Sequence, residues 1–190
     1  RTVIFFRGCN LRCAWCHNPE AQAFAADRAS VAGTSVSDLI KTIKQDKEYY
    51  RTTRGGVALS GGEPLLQPQA DLLQLLKALK KEKIHVAIET AGDVPWTTFK
   101  ATLPYVDLYL FDLKAVGHDE LHLKLTGRHL QSIEKNVRQL AETGAPVQFR
   151  MCVVPGYNDS PANIKATADL LKSIGHPSIG LLRYYNLHES

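Results

Sequence analysis

The organising stretch of this chain runs Gly8-Cys9-Asn10-Leu11-Arg12-Cys13-Ala14-Trp15-Cys16-His17-Asn18-Pro19. It holds three of the four cysteines, Cys9, Cys13 and Cys16, with the spacing C-x3-C-x2-C. Thiolates are strong, soft ligands for iron, and cubane iron–sulfur clusters are usually held by four of them. Because no fourth cysteine follows at ligand spacing, the motif predicts a [4Fe-4S] cluster on these three residues, with one iron open to an outside ligand.

A structural zinc site is the alternative for the same cysteines, with His17 or Cys152 as the fourth ligand. Structural zinc sites usually draw four protein ligands from two close pairs. A single triplet beside one histidine matches that pattern poorly, so the spacing favours iron. Cys152 lies inside a predicted strand, where we expect it to be a small buried hydrophobic residue.

Composition indicates one globular domain covering residues 1–190. The chain is 44% hydrophobic and 22% charged, as in ordinary soluble proteins. Its net charge of +4 comes from lysines interleaved with acids, without a basic-aromatic stripe, so we expect no nucleic-acid partner. We also expect no membrane association, since no apolar run approaches the length of about 18 residues that a spanning helix needs.

Cysteine usage and the ends of the chain add two expectations. Clustered cysteines and the lack of a signal peptide point to a reducing, cytoplasmic setting. The chain begins at Arg1, without methionine and directly against a predicted strand, so we expect trimmed ends.

Strands and helices alternate along the chain. Apolar runs predict strands at 2–6, 57–60, 84–88, 106–113, 147–154 and 179–184. Helical spacing predicts about five helices, at 37–50, 69–83, 95–102, 132–143 and 161–174, whereas residues 22–35 read as a flexible loop. Such alternation argues for a parallel sheet with helices outside it. Six units are too few for a closed eight-stranded barrel, so the predicted fold is α/β, an open partial (β/α)6 barrel.

Polar residues lie at or near the ends of all six predicted strands. They are the cysteine loop, Gly61-Gly62-Glu63, Glu89-Thr90, Asp112-Leu113-Lys114, residues 150–155 and Tyr184-Tyr185. Functional residues in parallel α/β sheets gather at the carboxyl ends of strands. Packing does not explain so many polar strand ends, and the pattern predicts a binding site there.

The second motif is Ser60-Gly61-Gly62-Glu63-Pro64. Glycine lets a backbone approach a ligand closely, and the following carboxylate can accept hydrogen bonds from an ammonium group. Alone, the segment is also ordinary turn chemistry. One βα unit after the cysteine motif, it indicates a cofactor site.

Together these motifs resemble the radical S-adenosylmethionine (radical SAM) superfamily. The resemblance implies that the amino and carboxylate groups of S-adenosylmethionine chelate the open iron. It also implies that the reduced cluster cleaves the sulfonium to methionine and a 5′-deoxyadenosyl radical. Longer segments resemble the glycyl-radical-enzyme activating enzymes within that superfamily: residues 1–9, 15–20, 60–64, 112–114, 150 and 154–159.

The resemblance implies a set of site residues. Gly62 and Glu63 would receive the methionine amino group, and Arg150 would secure its carboxylate. Asp112, with Glu89, would hold a monovalent cation beside that carboxylate. The whole implied cofactor-binding set is Trp15, His17, Gly62, Glu63, Thr90, Asp112, Leu113, Lys114, Arg150 and Tyr185.

Three departures from the family pattern stand out. Glu89-Thr90-Ala91-Gly92 replaces a frequent Asp-Thr-Asn-Gly, and Tyr185 replaces a histidine that lies near the adenine. Residues 22–35 contain no cysteine, unlike the eight-cysteine insert of many relatives, so a single cluster is expected. The usual Asp-Gly-Pro-Gly loop would lie before Arg1.

The implied activity is formation of a glycyl radical on a partner glycyl radical enzyme, by a monomer that takes its electron from a flavodoxin or a ferredoxin. An open barrel suits a partner peptide that must enter the site. One alternative is a radical SAM enzyme acting on a small molecule, such as 7-carboxy-7-deazaguanine synthase. The other is a non-catalytic iron–sulfur or zinc module, which needs a fourth cluster ligand. His118 and His122, four residues apart, could form a metal pair, but a solvated helix face is the expectation.

Overall fold

The computed structural model describes residues 1–24 and 34–185. Most of the predicted flexible loop, residues 25–33, lies outside the described residues. The six strands are β1 Thr2–Phe6, β2 Val57–Gly61, β3 Val86–Thr90, β4 Leu108–Asp112, β5 Val147–Val153 and β6 Gly180–Arg183. Seven α-helices occur in the described part: α1 Val36–Gln45, α2 Lys47–Thr53, α3 Gln69–Lys81, α4 Trp96–Thr102, α5 Asp119–Thr126, α6 Gln131–Glu142 and α7 Pro161–Ser173.

The strands form one parallel sheet in chain order, with β1 and β6 as its two edges. This arrangement confirms the predicted open (β/α)6 architecture. Phe5 pairs with Ser60, Asp112 with Arg150, and Cys152 with Leu182. Paired residues point to the same face of a sheet, and side chains alternate between faces along each strand. One face, called the inner face below, therefore carries all of these residues.

The opposite, outer face of the sheet packs against the helices. Leu59, Ile88, Phe111 and Phe149 lie on it and are at most 1% exposed. The helices add apolar side chains to the same core, among them Leu76, Leu79, Phe99, Val137 and Leu140. This burial supplies most of the hydrophobic stabilisation, at about 25 cal/mol per Å² of apolar surface. No described helix is long and apolar enough to cross a membrane.

The first predicted helix, 37–50, is two helices in the structure. The Ser35 hydroxyl accepts a hydrogen bond from the Asp38 amide and so caps α1, two residues before the predicted start of the helix. The chain leaves helical geometry at Asp46 (φ −91°, ψ 4°), and α2 follows. Helix α5 adds one more to the predicted five.

The third strand begins two residues later than predicted. The Ile84 amide donates to the Leu79 carbonyl and so closes the turn after α3 instead of joining the sheet. The strand also ends two residues later than predicted, at Thr90. Glu89 and Thr90 therefore lie within its carboxyl end rather than in the loop beyond it.

Candidate active site

A cavity of about 320 Å³ opens at the carboxyl edge of the sheet. All six strand ends contribute to its lining, as the strand-end pattern predicted. The lining residues from the predicted site are Cys9, Cys13, Trp15, Cys16, His17, Gly62, Glu63, Thr90, Asp112, Lys114 and Arg150. The motifs that are far apart in the sequence thus meet around one space.

The three clustered cysteines are half-buried, free thiols that face this cavity. Burial raises the pKa of Cys9 to about 11 and also raises that of Cys13. Metal binding would therefore have to displace their protons. No three His, Cys, Asp or Glu side chains in the described ranges are arranged to hold a single metal ion. A cubane cluster spreads its thiolates over separate irons, so three soft donors around one cavity fit such a cluster.

Helix α5 holds the cysteine loop from one side. The amides of Arg12 and Ala14 donate to the carbonyls of Thr126 and Leu125, at 2.6 and 3.0 Å. These carbonyls belong to the last turn of α5, where a helix leaves its acceptors without helical partners. Trp15 packs beside them in a small apolar cluster with Ala115, Leu125 and Val154.

The Gly-Gly-Glu loop supports the cysteine loop from the other side. The Glu63 amide donates to the Gly8 carbonyl, and the Gly62 amide donates to the Phe6 carbonyl, both at 2.8 Å. A Cβ atom on Gly62 would lie 2.4 Å from the Gly8 oxygen, so the contact admits only glycine. The two motifs are therefore packed backbone against backbone.

The Glu63 carboxylate is buried in the wall of the cavity, with 2% of the residue exposed. It accepts hydrogen bonds from the Leu65 amide (3.1 Å), the Thr90 hydroxyl (2.9 Å) and the Ala91 amide (3.0 Å). Burial raises the pKa of Glu63 to about 7, although the three donors act in the opposite direction. Glu63 thus lies near its titration point at neutral pH.

A line of charged groups crosses the strand ends beside Glu63. Ser60 donates to Glu89 at 2.9 Å, and the Arg150 guanidinium contacts Glu89 at 3.4 Å and Asp112 at 2.9 Å. Lys114 contacts Asp112 at 3.4 Å. Burial by itself would lower the pKa of Lys114, but the Asp112 carboxylate, with Cys13, raises it. The cavity therefore presents fixed cations.

Two residues of the implied cofactor set do not line the cavity. Leu113 is buried in the main core, and Tyr185 is 59% exposed, with the Arg183 guanidinium 5.3 Å from its ring centroid. The preceding residue, Tyr184, stacks on His17 with ring centroids 5.5 Å apart. The roles of Leu113 and Tyr185 stay predictions.

Two expectations about other residues were wrong. Cys152 is half-buried and lines the cavity, because it lies two residues after Arg150 on the inner face of β5. That spacing could have indicated its position. His122 is buried rather than solvated, and its Nδ1 lies 2.7 Å from the Arg128 carbonyl. Leu182 and Arg183 also line the cavity, as sequence reasoning did not anticipate.

Sequence comparison relates the chain to known proteins. Residues 3–171 match the family model described as the radical SAM superfamily. The chain is 36% identical over 188 residues to the pyruvate formate-lyase-activating enzyme of Clostridium pasteurianum, covering 98% of this chain and 76% of that protein. It is 30% identical over 241 residues to the trans-4-hydroxy-L-proline dehydratase activating enzyme of Clostridioides difficile, covering 98% and 80%.

Solved structures show the same fold. Streptococcus suis SuiB bound to S-adenosylmethionine superposes with a TM-score of 0.76 at 20% identity; the match covers 99% of this chain and 41% of SuiB. A domain of a pyruvate-formate lyase-activating enzyme from Bacteroides vulgatus superposes with a TM-score of 0.59 at 32% identity. That match covers 66% of this chain and 76% of the other.

Proposed function

Because this chain belongs to the radical SAM superfamily and is an enzyme of the activating-enzyme type, we propose that it abstracts hydrogen from a glycine of a partner glycyl radical enzyme. The cofactors of the family are a [4Fe-4S] cluster and S-adenosylmethionine. The reduced cluster would supply the electron that cleaves S-adenosylmethionine, whose 5′-deoxyadenosyl radical takes the hydrogen. The meeting of three free thiols, Gly-Gly-Glu and Arg150 at one cavity carries the proposal.

The proposed ligands of the cluster are Cys9, Cys13 and Cys16. They come from one loop and face the cavity together. Cys152 faces the same cavity from β5, outside that loop. Under the proposal it takes no part in cluster binding, which leaves one iron free for the cofactor.

Opposite charges suit the methionine part of the cofactor. A carboxylate offers about four acceptor sites, so Glu63, which uses three, retains one for an N–H group of the cofactor's amino nitrogen. Arg150 offers five donor hydrogens, more than its two carboxylate partners take up, and can bind a carboxylate. The Arg150 guanidinium lies between Glu89 and Asp112, where the monovalent cation was predicted; that cation stays a proposal.

Aromatic side chains suit the adenine part. Trp15 and His17 line the cavity, and Tyr184 extends the surface by stacking on His17. Flat rings offer large apolar contact areas to another ring. We therefore place the adenine at this end. Thr90 serves the methionine part indirectly, since its hydroxyl donates to Glu63.

The open edge of the sheet suits a protein substrate. Val3 and Phe5 lie on the inner face of β1 and are 45% and 63% exposed. An extended glycine segment of the partner could lie against this apolar surface on its way to the cavity. A flavodoxin or ferredoxin as electron donor, a monomeric state and a cytoplasmic location complete the proposal.

Isotope transfer tests this function directly. The anaerobically reconstituted enzyme would be reduced and mixed with S-adenosylmethionine and a peptide copying the glycine segment of a partner, deuterated at the glycine α-carbon. We expect deuterium in the 5′-deoxyadenosine and a carbon-centred doublet in the electron paramagnetic resonance spectrum. A glycine→alanine peptide is the control and should be a much poorer donor, because its methyl group crowds the reacting atoms. Transfer from a pterin-like small molecule but from no glycine peptide would contradict the proposal.

A further inference from the structure

The loop between β3 and α4 contacts both motif loops. Thr90, the last residue of β3, and Ala91, the first residue of the loop, donate hydrogen bonds to the Glu63 carboxylate. Two residues later, Asp93 accepts from Asn10 of the cysteine loop. The Asn10 Nδ2 atom lies 2.7 Å from the Asp93 backbone oxygen and 2.7 Å from its Oδ2. One short segment therefore touches the proposed cluster loop and the proposed cofactor loop.

The Asp93 side chain is buried, with 6% of it exposed, and accepts hydrogen bonds from several segments of the chain. Its Oδ2 also accepts from the Arg128 Nε at 2.5 Å, and its Oδ1 accepts from the Ser132 hydroxyl at 2.5 Å. A carboxylate only accepts hydrogen bonds, so it can join donors from several segments. Burial of such a charge is tolerated because it is paired and hydrogen-bonded.

The orientation of the Asn10 amide shows how much the contact with Asp93 matters. Reversing the amide would point its oxygen at two oxygen atoms of Asp93, which have no hydrogen to donate. In the observed orientation, Asn10 Oδ1 is buried and has no partner within the described residues. An unpaired buried carbonyl is unfavourable. The orientation that gives Asn10 both hydrogen bonds to Asp93 therefore leaves its own oxygen unpaired.

The loop that carries Asp93 is itself rigidly held. Gly92 has φ +79°, and a Cβ atom there would lie 2.0 Å from the Phe111 ring, so only glycine fits. Asn136 donates to the carbonyls of Gly92 and Val94, both at 2.8 Å. The backbone that carries Asp93 is thus fixed, whereas the cysteine loop that it contacts has no regular secondary structure.

We infer that Asp93 is a positioning residue: through Asn10 it fixes the cysteine loop relative to Glu63. The consequence for the reaction rests on the proposed function, since it concerns cluster ligands and a cofactor site. The cluster proposed for the cysteine loop must meet the cofactor proposed for the Gly-Gly-Glu loop. Rigid supporting residues keep the geometry between them productive. The contact itself can be tested without any cofactor.

The first experiment measures alkylation of Cys9 and Cys13 by iodoacetamide in the folded, cluster-free protein, site by site by mass spectrometry. Because local opening exposes these thiols, Asp93→Ala should speed their alkylation by about 10- to 100-fold. Asn10→Ala should have an effect at least as large, because it also removes the hydrogen bond to the Asp93 backbone oxygen. The double variant should add little to Asn10→Ala, since the hydrogen bond between the two side chains is already lost in it. Asp107→Ala is the matched control: Asp107 accepts from the Val86 amide at the other end of β3 and should leave these rates unchanged.

Rescue separates positioning from general stability. Asp93→Asn keeps an oxygen for Asn10 and Arg128 and can donate to the Ser132 hydroxyl, so it should restore slow alkylation. In the reconstituted enzyme, Asp93→Ala should raise the KM for S-adenosylmethionine about tenfold, by loss of one charged hydrogen bond, and alter the spectrum of the reduced cluster with cofactor; Asp93→Asn should do neither.

Several outcomes would overturn the inference. They are unchanged alkylation in folded Asp93→Ala, equal acceleration in Asp107→Ala, or additive effects of Asp93→Ala and Asn10→Ala. If Asp93→Ala does not fold, Asn10→Ala provides the same test, because it leaves Asp93 paired with Arg128 and Ser132. Accelerated alkylation in an enzyme whose wild-type form makes no glycyl radical would reject the proposed function and support the role of Asp93.

Discussion

The two faces of the sheet are built for different tasks. On the outer face, Phe111 and Phe149 are almost completely buried under helices. On the inner face, Glu89, Asp112 and Arg150 surround a cavity. Both sets alternate along the same strands, so one backbone presents a hydrocarbon core on one side and charges on the other. The difference indicates that substitutions on the outer face will change mainly stability, whereas substitutions on the inner face will change mainly activity.

The largest expected difference is in cluster binding, between variants of two cysteines that line the same cavity. Cys13→Ala should abolish cluster binding, whereas Cys152→Ala should leave about four irons per chain after anaerobic reconstitution. Iron and sulfide analysis with the visible absorption spectrum measures this. Equal loss of iron in both variants would make Cys152 a ligand and refute an open iron.

The two faces should differ strongly in stability. Phe149→Ala, on the outer face of β5, should lower the free energy of unfolding by about 3–5 kcal/mol, because it removes a fully buried ring. Phe5→Ala, on the inner face of β1, should cost less than about 1 kcal/mol, since that ring is 63% exposed. Denaturant unfolding measures both. Similar losses would show that the inner face also acts as core.

Charged groups on the inner face should affect binding. Glu63→Ala and Arg150→Ala each remove a charge-assisted contact, worth about 1.5–3 kcal/mol, and should weaken S-adenosylmethionine binding about 10- to 100-fold. The cluster absorbance should survive. Gln148→Ala is the control, because Gln148 lies on the same face of β5 but away from the cavity. Unchanged affinity in both charge variants would rule out the proposed contacts to the amino and carboxylate groups of the cofactor.

The smallest predicted effect is a pH dependence. In the free protein Glu63 has a pKa raised to about 7 by burial, so it is largely protonated below that pH. The amino group of the bound cofactor donates a hydrogen bond to Glu63 and so favours its ionised form. Affinity for S-adenosylmethionine should therefore rise from pH 6 to pH 8, by about tenfold at most. Calorimetric titration in two buffers should detect release of the proton. Glu63→Gln should lose the part of the pH dependence that comes from Glu63, whereas the part that comes from titration of the ligand is common to both proteins. Identical dependence of affinity on pH in the two proteins would contradict the prediction.

The sequence predicted the fold because its signals are local. Alternating apolar runs and helical spacing place the strands, and the strand-end rule brought Glu63, Asp112 and Arg150 to one edge. The contact between Asn10 and Asp93 lies beyond such rules, because 83 residues separate the pair and Asn10 is an unspecified position of the cysteine motif. His122 was misplaced for another reason: its acceptor, the Arg128 carbonyl, becomes available only through the turn after α5.

The cysteine loop has a consequence for the timing of folding. Its amides reach carbonyls of Leu125 and Thr126, more than a hundred positions later in the chain, and Asn10 reaches Asp93. Contacts between distant segments form late, because the intervening chain must first lose its conformational freedom. During synthesis the cysteines are translated before Asp93, Leu125 and Thr126, the residues that hold their loop. We therefore expect cluster assembly to follow translation of α5, on a chain that has already folded.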